Sequence, residues 1–132
     1  MAEEILVIDP FTETMKGAGA ELIDGLDKDG FEVTAALWFL RPETGTWRLI
    51  LAMPVVNSEG PLKAYEQIQH VLAKFSQETQ DLFLSNISAV ESDDPLVDLF
   101  RKALRKKGKG GVRFTRNAID GIYIHDAYVY RV

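Results

Sequence analysis

Eight residues near the C-terminal end have the side chains from which binding sites are commonly built: Lys106, Lys107, Lys109, Arg113, Arg116, His125, Tyr128 and Tyr130. Lysine and arginine can neutralise a phosphate or an acidic protein surface. Tyrosines interleaved with them can stack on unpaired bases. A histidine beside a carboxylate, here His125 next to Asp126, can move a proton near neutral pH. Three chemistries are therefore open: contact with an acidic partner, contact with nucleic acid, and acid–base catalysis.

The basic residues are set apart from the rest of the chain. Eight of the fifteen Lys and Arg residues fall between Arg101 and Arg116, a stretch with no Asp or Glu. Residues 1–100 carry a net charge of −12 and residues 101–132 one of +7, which together give the −5 of the whole chain. Such a split describes an acidic body with one basic region available to a partner. Part of it has a plain structural reading. Arg101, Lys102, Arg105, Lys106 and Lys107 fall in the last turns of a helix or just after it, where positive charge complements the helix dipole for roughly 0.3–1 kcal/mol each.

Other chemistry finds little support. Consecutive strand residues point to opposite faces, so His125 and Asp126 make a poor catalytic dyad. His70 lies off the apolar stripe of its helix and reads as solvent-exposed. The cluster Glu91-Ser92-Asp93-Asp94 precedes Pro95 and reads as helix capping rather than a metal site, since no His or Cys pattern accompanies it. Gly17-Ala18-Gly19-Ala20 falls within a helical pattern and lacks the third glycine of a dinucleotide fingerprint. There is no cysteine, which removes thiolate chemistry and suits a reducing cytoplasm. The run Ile5–Ile8 is too short for a signal h-region or a membrane span. No cofactor, no metal and no membrane contact are expected, and the chain reads as soluble and cytoplasmic.

The elements that must position these residues can be read from periodicity. With 132 residues and 46% hydrophobic side chains, one domain over 1–132 is expected. A first helix is predicted after Asp9-Pro10, with Asp9 as N-cap and Phe11, Met15, Ala18, Leu22 and Leu26 on its buried face. Gly17 and Gly19 weaken that helix and mark places where another element could approach closely. Phe31–Leu40 and Trp47–Met53, joined by Pro42-Glu43-Thr44-Gly45, read as a hairpin apolar on both faces and hence central in a sheet. Asn57–Pro61 reads as a loop into a second helix with the stripe Leu62, Tyr65, Ile68, Leu72 and Phe75. A strand over about Leu82–Val90 follows, then a third helix capped by Asp93-Asp94-Pro95 with Leu96, Phe100, Ala103 and Leu104 inward.

Asp120-Gly121 between Ile119 and Ile122 specifies a two-residue type I′ hairpin turn. Opposed residues then have numbers summing to 241. One face carries Val112, Phe114, Arg116 and Ala118 against Tyr123, His125, Ala127 and Val129, and is expected to face the core. The other, with Arg113, Thr115, Asn117, Tyr128 and Tyr130, is either an open binding surface or a face where Arg113 pairs with Asp126 and the tyrosines cover the core rim. A one-residue bulge would exchange the two faces.

The fold class expected is α+β: a five-stranded, mostly antiparallel sheet of two β-hairpins plus one strand, with about three helices packed on it. The function expected is a small acidic, non-enzymatic interaction or self-association module, with the basic helix end and hairpin as contact surface. A protein partner or a second copy is the leading expectation. Nucleic-acid binding through the 105–116 segment is the alternative, and an enzyme with a site near Arg116 and His125 a third.

Overall fold

The computed structural model describes residues 10–83, 86–107 and 111–132, without the side chains of Leu82, Arg105, Lys106 and Lys107. In chain order the elements are α1 (Glu13–Lys28), β1 (Ala35–Arg41), β2 (Thr46–Ala52), α2 (Pro54–Glu59), α3 (Pro61–Leu72), α4 (Gln77–Phe83), β3 (Ile87–Val90), α5 (Pro95–Lys107), β4 (Val112–Ile119) and β5 (Ile122–Arg131). The strands form one sheet in the order β3-β2-β1-β5-β4. Three neighbouring pairs are antiparallel and β2–β3 is parallel. The α+β class holds, with a mixed sheet and five helices among the described residues.

The first hairpin lies in the middle, as strands apolar on both faces require. Each face of the sheet has its own core. On one face Trp38, Leu40, Trp47, Leu49 and Leu51 meet Leu22, Ile23 and Leu26 of α1, Ala64, Ile68 and Val71 of α3, and Phe83 of α4. On the other face Leu37, Ile50, Phe114, Ala127 and Val129 meet Val97, Leu99, Phe100 and Leu104 of α5.

Several elements depart from the sequence expectation. The N-cap of α1 is Thr12, whose hydroxyl accepts the Met15 N–H at 3.1 Å; Asp9 lies outside the described residues. Pro10 precedes the helix. Phe11 still seats on the core, with its ring 5.0 Å from Trp47 and 5.5 Å from Tyr128. Residues 54–59 form the short helix α2, so the Asn57–Pro61 loop is really a junction between two helices at Gly60, with φ +92°. Residues 77–83 are helical, which confines the third strand to Ile87–Val90.

The buried face of α3 is also rotated. Ala64, Ile68, Val71 and Leu72 are inside, whereas Leu62 is 72% exposed and Tyr65 is exposed. Small Ala64 lets α3 approach the sheet, and Val71 packs against Gly25 of α1 in a space no larger residue could share. Leu62→Lys should therefore change the unfolding free energy by no more than about 0.5 kcal/mol, as measured by urea denaturation. A loss several times larger would restore the stripe expected from the sequence.

Two polar contacts fasten the edges of these layers. Trp38 donates its indole N–H to the Tyr130 hydroxyl at 3.0 Å, and that hydroxyl donates to the Lys16 carbonyl of α1 at 2.6 Å. Burial pushes the Tyr130 phenol far above its ordinary pKa, so it remains a donor at any working pH. At the β3 edge, the Tyr65 hydroxyl accepts the Ala89 N–H at 3.0 Å. Asp94 caps α5, accepting from Leu96 N at 3.0 Å and Val97 N at 3.4 Å, as the sequence led one to expect of this acidic cluster.

Candidate functional site: the β4–β5 hairpin end

The register of the second hairpin follows its turn. Val112 pairs with Val129, Phe114 with Ala127, Thr115 with Asp126, and Asn117 with Ile124. Asp120 takes the left-handed conformation, φ +48°, that a type I′ turn demands of its first central residue. Arg116 has φ +50° as well, in mid-strand. Its direct pairing with His125 is lost there, although the register on either side is unchanged.

The left-handed residue exchanges the faces of the hairpin. Phe114 and Ile119 both face α5 although their positions differ by an odd number, and so do Ile124 and Ala127 on β5. The face expected to be core is therefore core only from Val112 to Phe114 and from Ala127 to Val129. Toward the turn it is solvent that meets Arg116, Ala118, Tyr123 and His125.

The eight residues singled out from the sequence do not form one surface. Arg113 binds the Asp126 carboxylate through two bonds, Nε at 2.5 Å and Nη2 at 2.6 Å, and its guanidinium lies over Phe11 at 5.1 Å. That carboxylate raises the Arg113 pKa further, chiefly through the hydrogen bond. Tyr128 and Tyr130 are half-buried against the α1 core, not presented on an open face. Of the two readings of this face, the structure takes the one in which Arg113 pairs and the tyrosines cover the core. Lys106 and Lys107 end α5, but their side chains, and all of Lys109, lie outside the described residues. His125 is exposed and packs edge-on against Tyr123, ring centroids 4.7 Å apart. Asp126 is held by Arg113 and Thr115, so His125 and Asp126 do not converge on a common point.

Most of the described basic charge in the segment is already answered. Arg101 pairs with Asp98, Arg113 with Asp126, and Arg131 with Asp27. Arg116 makes no ion pair with a described residue and stands exposed beside Ala118 and His125. Next to it are two residues the charge-based reading passed over. Ile122 and Tyr123 are each 53% exposed. The signal was present in the sequence: large side chains that directly follow a two-residue turn have no turn residues to pack against. β1 pairs with β5 from Ala127 to Arg131, so among the described residues β5 has only β4 as a strand neighbour from Ile122 to Asp126.

A concave feature lies elsewhere. Val56, Pro61, Ala89 and Val90 line a groove of about 490 Å³ whose rim carries Glu91, Asp93 and Asp94. Asn57 holds the rim in place: its side-chain N–H group reaches Asp93 at 3.2 Å, and its oxygen accepts Ser92 N at 3.0 Å. Among the described residues no group of three or more His, Asp or Glu converges as a metal site would require. None of their helices is long and apolar enough to cross a membrane.

The fold and site thus define a mixed sheet covered by helices on both faces, with one hairpin end left exposed by the described residues. Compared with known proteins, the chain matches no family model, no curated protein and no solved structure.

Proposed function

We propose that this protein is a non-enzymatic interaction module whose contact surface is the turn end of the β4–β5 hairpin. The observation that carries the reading is the exposure of Ile122 and Tyr123 at the end of the β4–β5 hairpin, which also carries Arg116, a cation with no ion-pair partner among the described residues. Large apolar side chains at an exposed tip, flanked by arginine, have the composition of interface anchors. The partner is an acidic protein surface, and a reducing cytoplasm suits a chain without cysteine.

The competing readings have less to draw on. Stacking on unpaired bases needs open aromatic faces, and Tyr128 and Tyr130 spend theirs on Phe11, Lys16 and each other. Catalysis needs convergent groups, and His125 stands apart from Asp126 on a surface shared with Tyr123.

A photo-crosslinking side chain at position 123, with position 21 on the outer face of α1 as control, tests the proposal in host extract. A product specific to position 123 that survives nuclease and falls about tenfold or more in Arg116→Glu is the expected result. A nuclease-sensitive product would transfer the site to nucleic acid. No product from position 123 would overturn the reading.

A further inference from the structure

The antiparallel and parallel pairings fix where the two exposed features lie. β5 and β3 both run in the direction of β2. The hairpin turn precedes β5, so it lies at the end of the sheet where those strands begin. The groove follows Val90, so it lies where they finish. The strand order puts β3 at one edge and β4 at the other. Hairpin end and groove therefore occupy diagonally opposite corners of the sheet, and the hairpin cannot fold back into its own groove.

Their chemistry is complementary. The hairpin end is a thin wedge, with Ile122 on one side, Tyr123 on the other, and Arg116 behind Tyr123. The groove has an apolar lining of Val56, Pro61, Ala89 and Val90. Its rim carboxylates Glu91 and Asp93 are exposed and have no cation among the described residues. Arg101, which donates to the Ser92 carbonyl nearby, has its own charge tied to Asp98. We infer that the groove receives the hairpin end of a second copy of this chain, with Arg116 meeting Glu91 and Asp93 across the rim. The inference rests on the reading of the hairpin as contact surface and names its partner.

A contact between unlike corners is heterologous. One pair of molecules leaves a free hairpin at one end and a free groove at the other, so association continues beyond the dimer. The turn of the wedge carries an anion, Asp120. Asp120→Asn keeps the left-handed turn, which asparagine tolerates well, and removes that charge from the approach to the acidic rim.

Sedimentation velocity from micromolar to millimolar concentration tests the assembly. The wild type should exceed twice the 14.8 kDa monomer mass as concentration rises. A hairpin variant, Ile122→Thr with Tyr123→Thr, and a groove variant, Glu91→Lys with Asp93→Lys, should each be monomeric, with circular dichroism confirming that both fold. Mixed one to one they should form a heterodimer and stop, because each supplies the corner that the other lacks. Asp120→Asn should tighten self-association about two- to fivefold, as expected for one surface charge. A monomeric wild type at the highest concentration overturns the inference. So does a groove variant that associates as the wild type does; if the hairpin variant then fails to associate, the hairpin surface stands and only the groove is lost.

Discussion

Truncating Phe100 to alanine should lower the unfolding free energy by about 3–5 kcal/mol, the cost of an aromatic cavity that the surroundings cannot fill. Phe100 is fully buried on the α5 face of the sheet, its ring 5.2 Å from Phe114 and 6.5 Å from Phe39, edge-on to both. It links α5 to β1 and β4 at once, so neither strand can move inward without losing its own pairing. With a total stability of roughly 5–15 kcal/mol for a domain of this size, the loss is a large share of the whole. The measurement is a urea transition, where the midpoint should fall by about 2 M with the slope unchanged. A cost below about 1 kcal/mol would mean that α5 is not seated on this face. Phe100→Leu, which keeps most of the volume, should cost roughly half as much or less.

Gly19→Ala should destabilise by about 2–3 kcal/mol, although alanine is the better helix former by about 1 kcal/mol. A Cβ at position 19 would meet the Tyr130 hydroxyl and, at 2.9 Å, both the Trp38 indole nitrogen and Tyr130 Cζ. Those atoms cannot simply turn aside, because the hydroxyl holds Trp38 and the Lys16 carbonyl together. Moving it leaves a buried indole N–H without an acceptor, at about 1–3 kcal/mol. Gly17, two residues earlier on the same helix, faces open space, so Gly17→Ala should stabilise by about 0.5–1 kcal/mol. Thermal unfolding of both variants gives opposite signs from one chemical change. A Tyr130→Phe background should relieve part of the Gly19→Ala cost, and strictly additive losses would show that hydroxyl and Cβ do not meet.

The paired glycines show how far sequence reasoning reaches. A helix with Gly17 and Gly19 on it announces a close approach, but which glycine is used depends on where Tyr130 sits, over a hundred residues away. The second hairpin was legible in its register because Asp120-Gly121 fixes pairing locally. Its faces were not, because the exchange depends on a left-handed Arg116, a conformation no residue type at that position signals. The stripe of α3 was misread because Leu62 and Tyr65 fit the helical period as well as Ala64 and Val71 do. Only the nearness of Gly25 decides between them. The parallel β2–β3 pair required a crossover through α2, α3 and α4, of which the pattern had shown one helix. At the site, charge drew attention to Arg113, which proves to be paired with Asp126, and the apolar pair beside the turn carried the better signal.

The bond from Ala89 to the Tyr65 hydroxyl has a consequence for how copies of this chain can stick together. An edge strand with free N–H groups is a template on which another chain can add a strand, and that route leads toward irreversible fibres. Here the template is blunted at both margins. On β3 the phenol occupies the backbone donor an incoming strand would need, and on β4 the turned backbone at Arg116 breaks the straight run of hydrogen-bonding groups. Both features disfavour strand addition relative to contacts between side chains, which release each other as concentration falls.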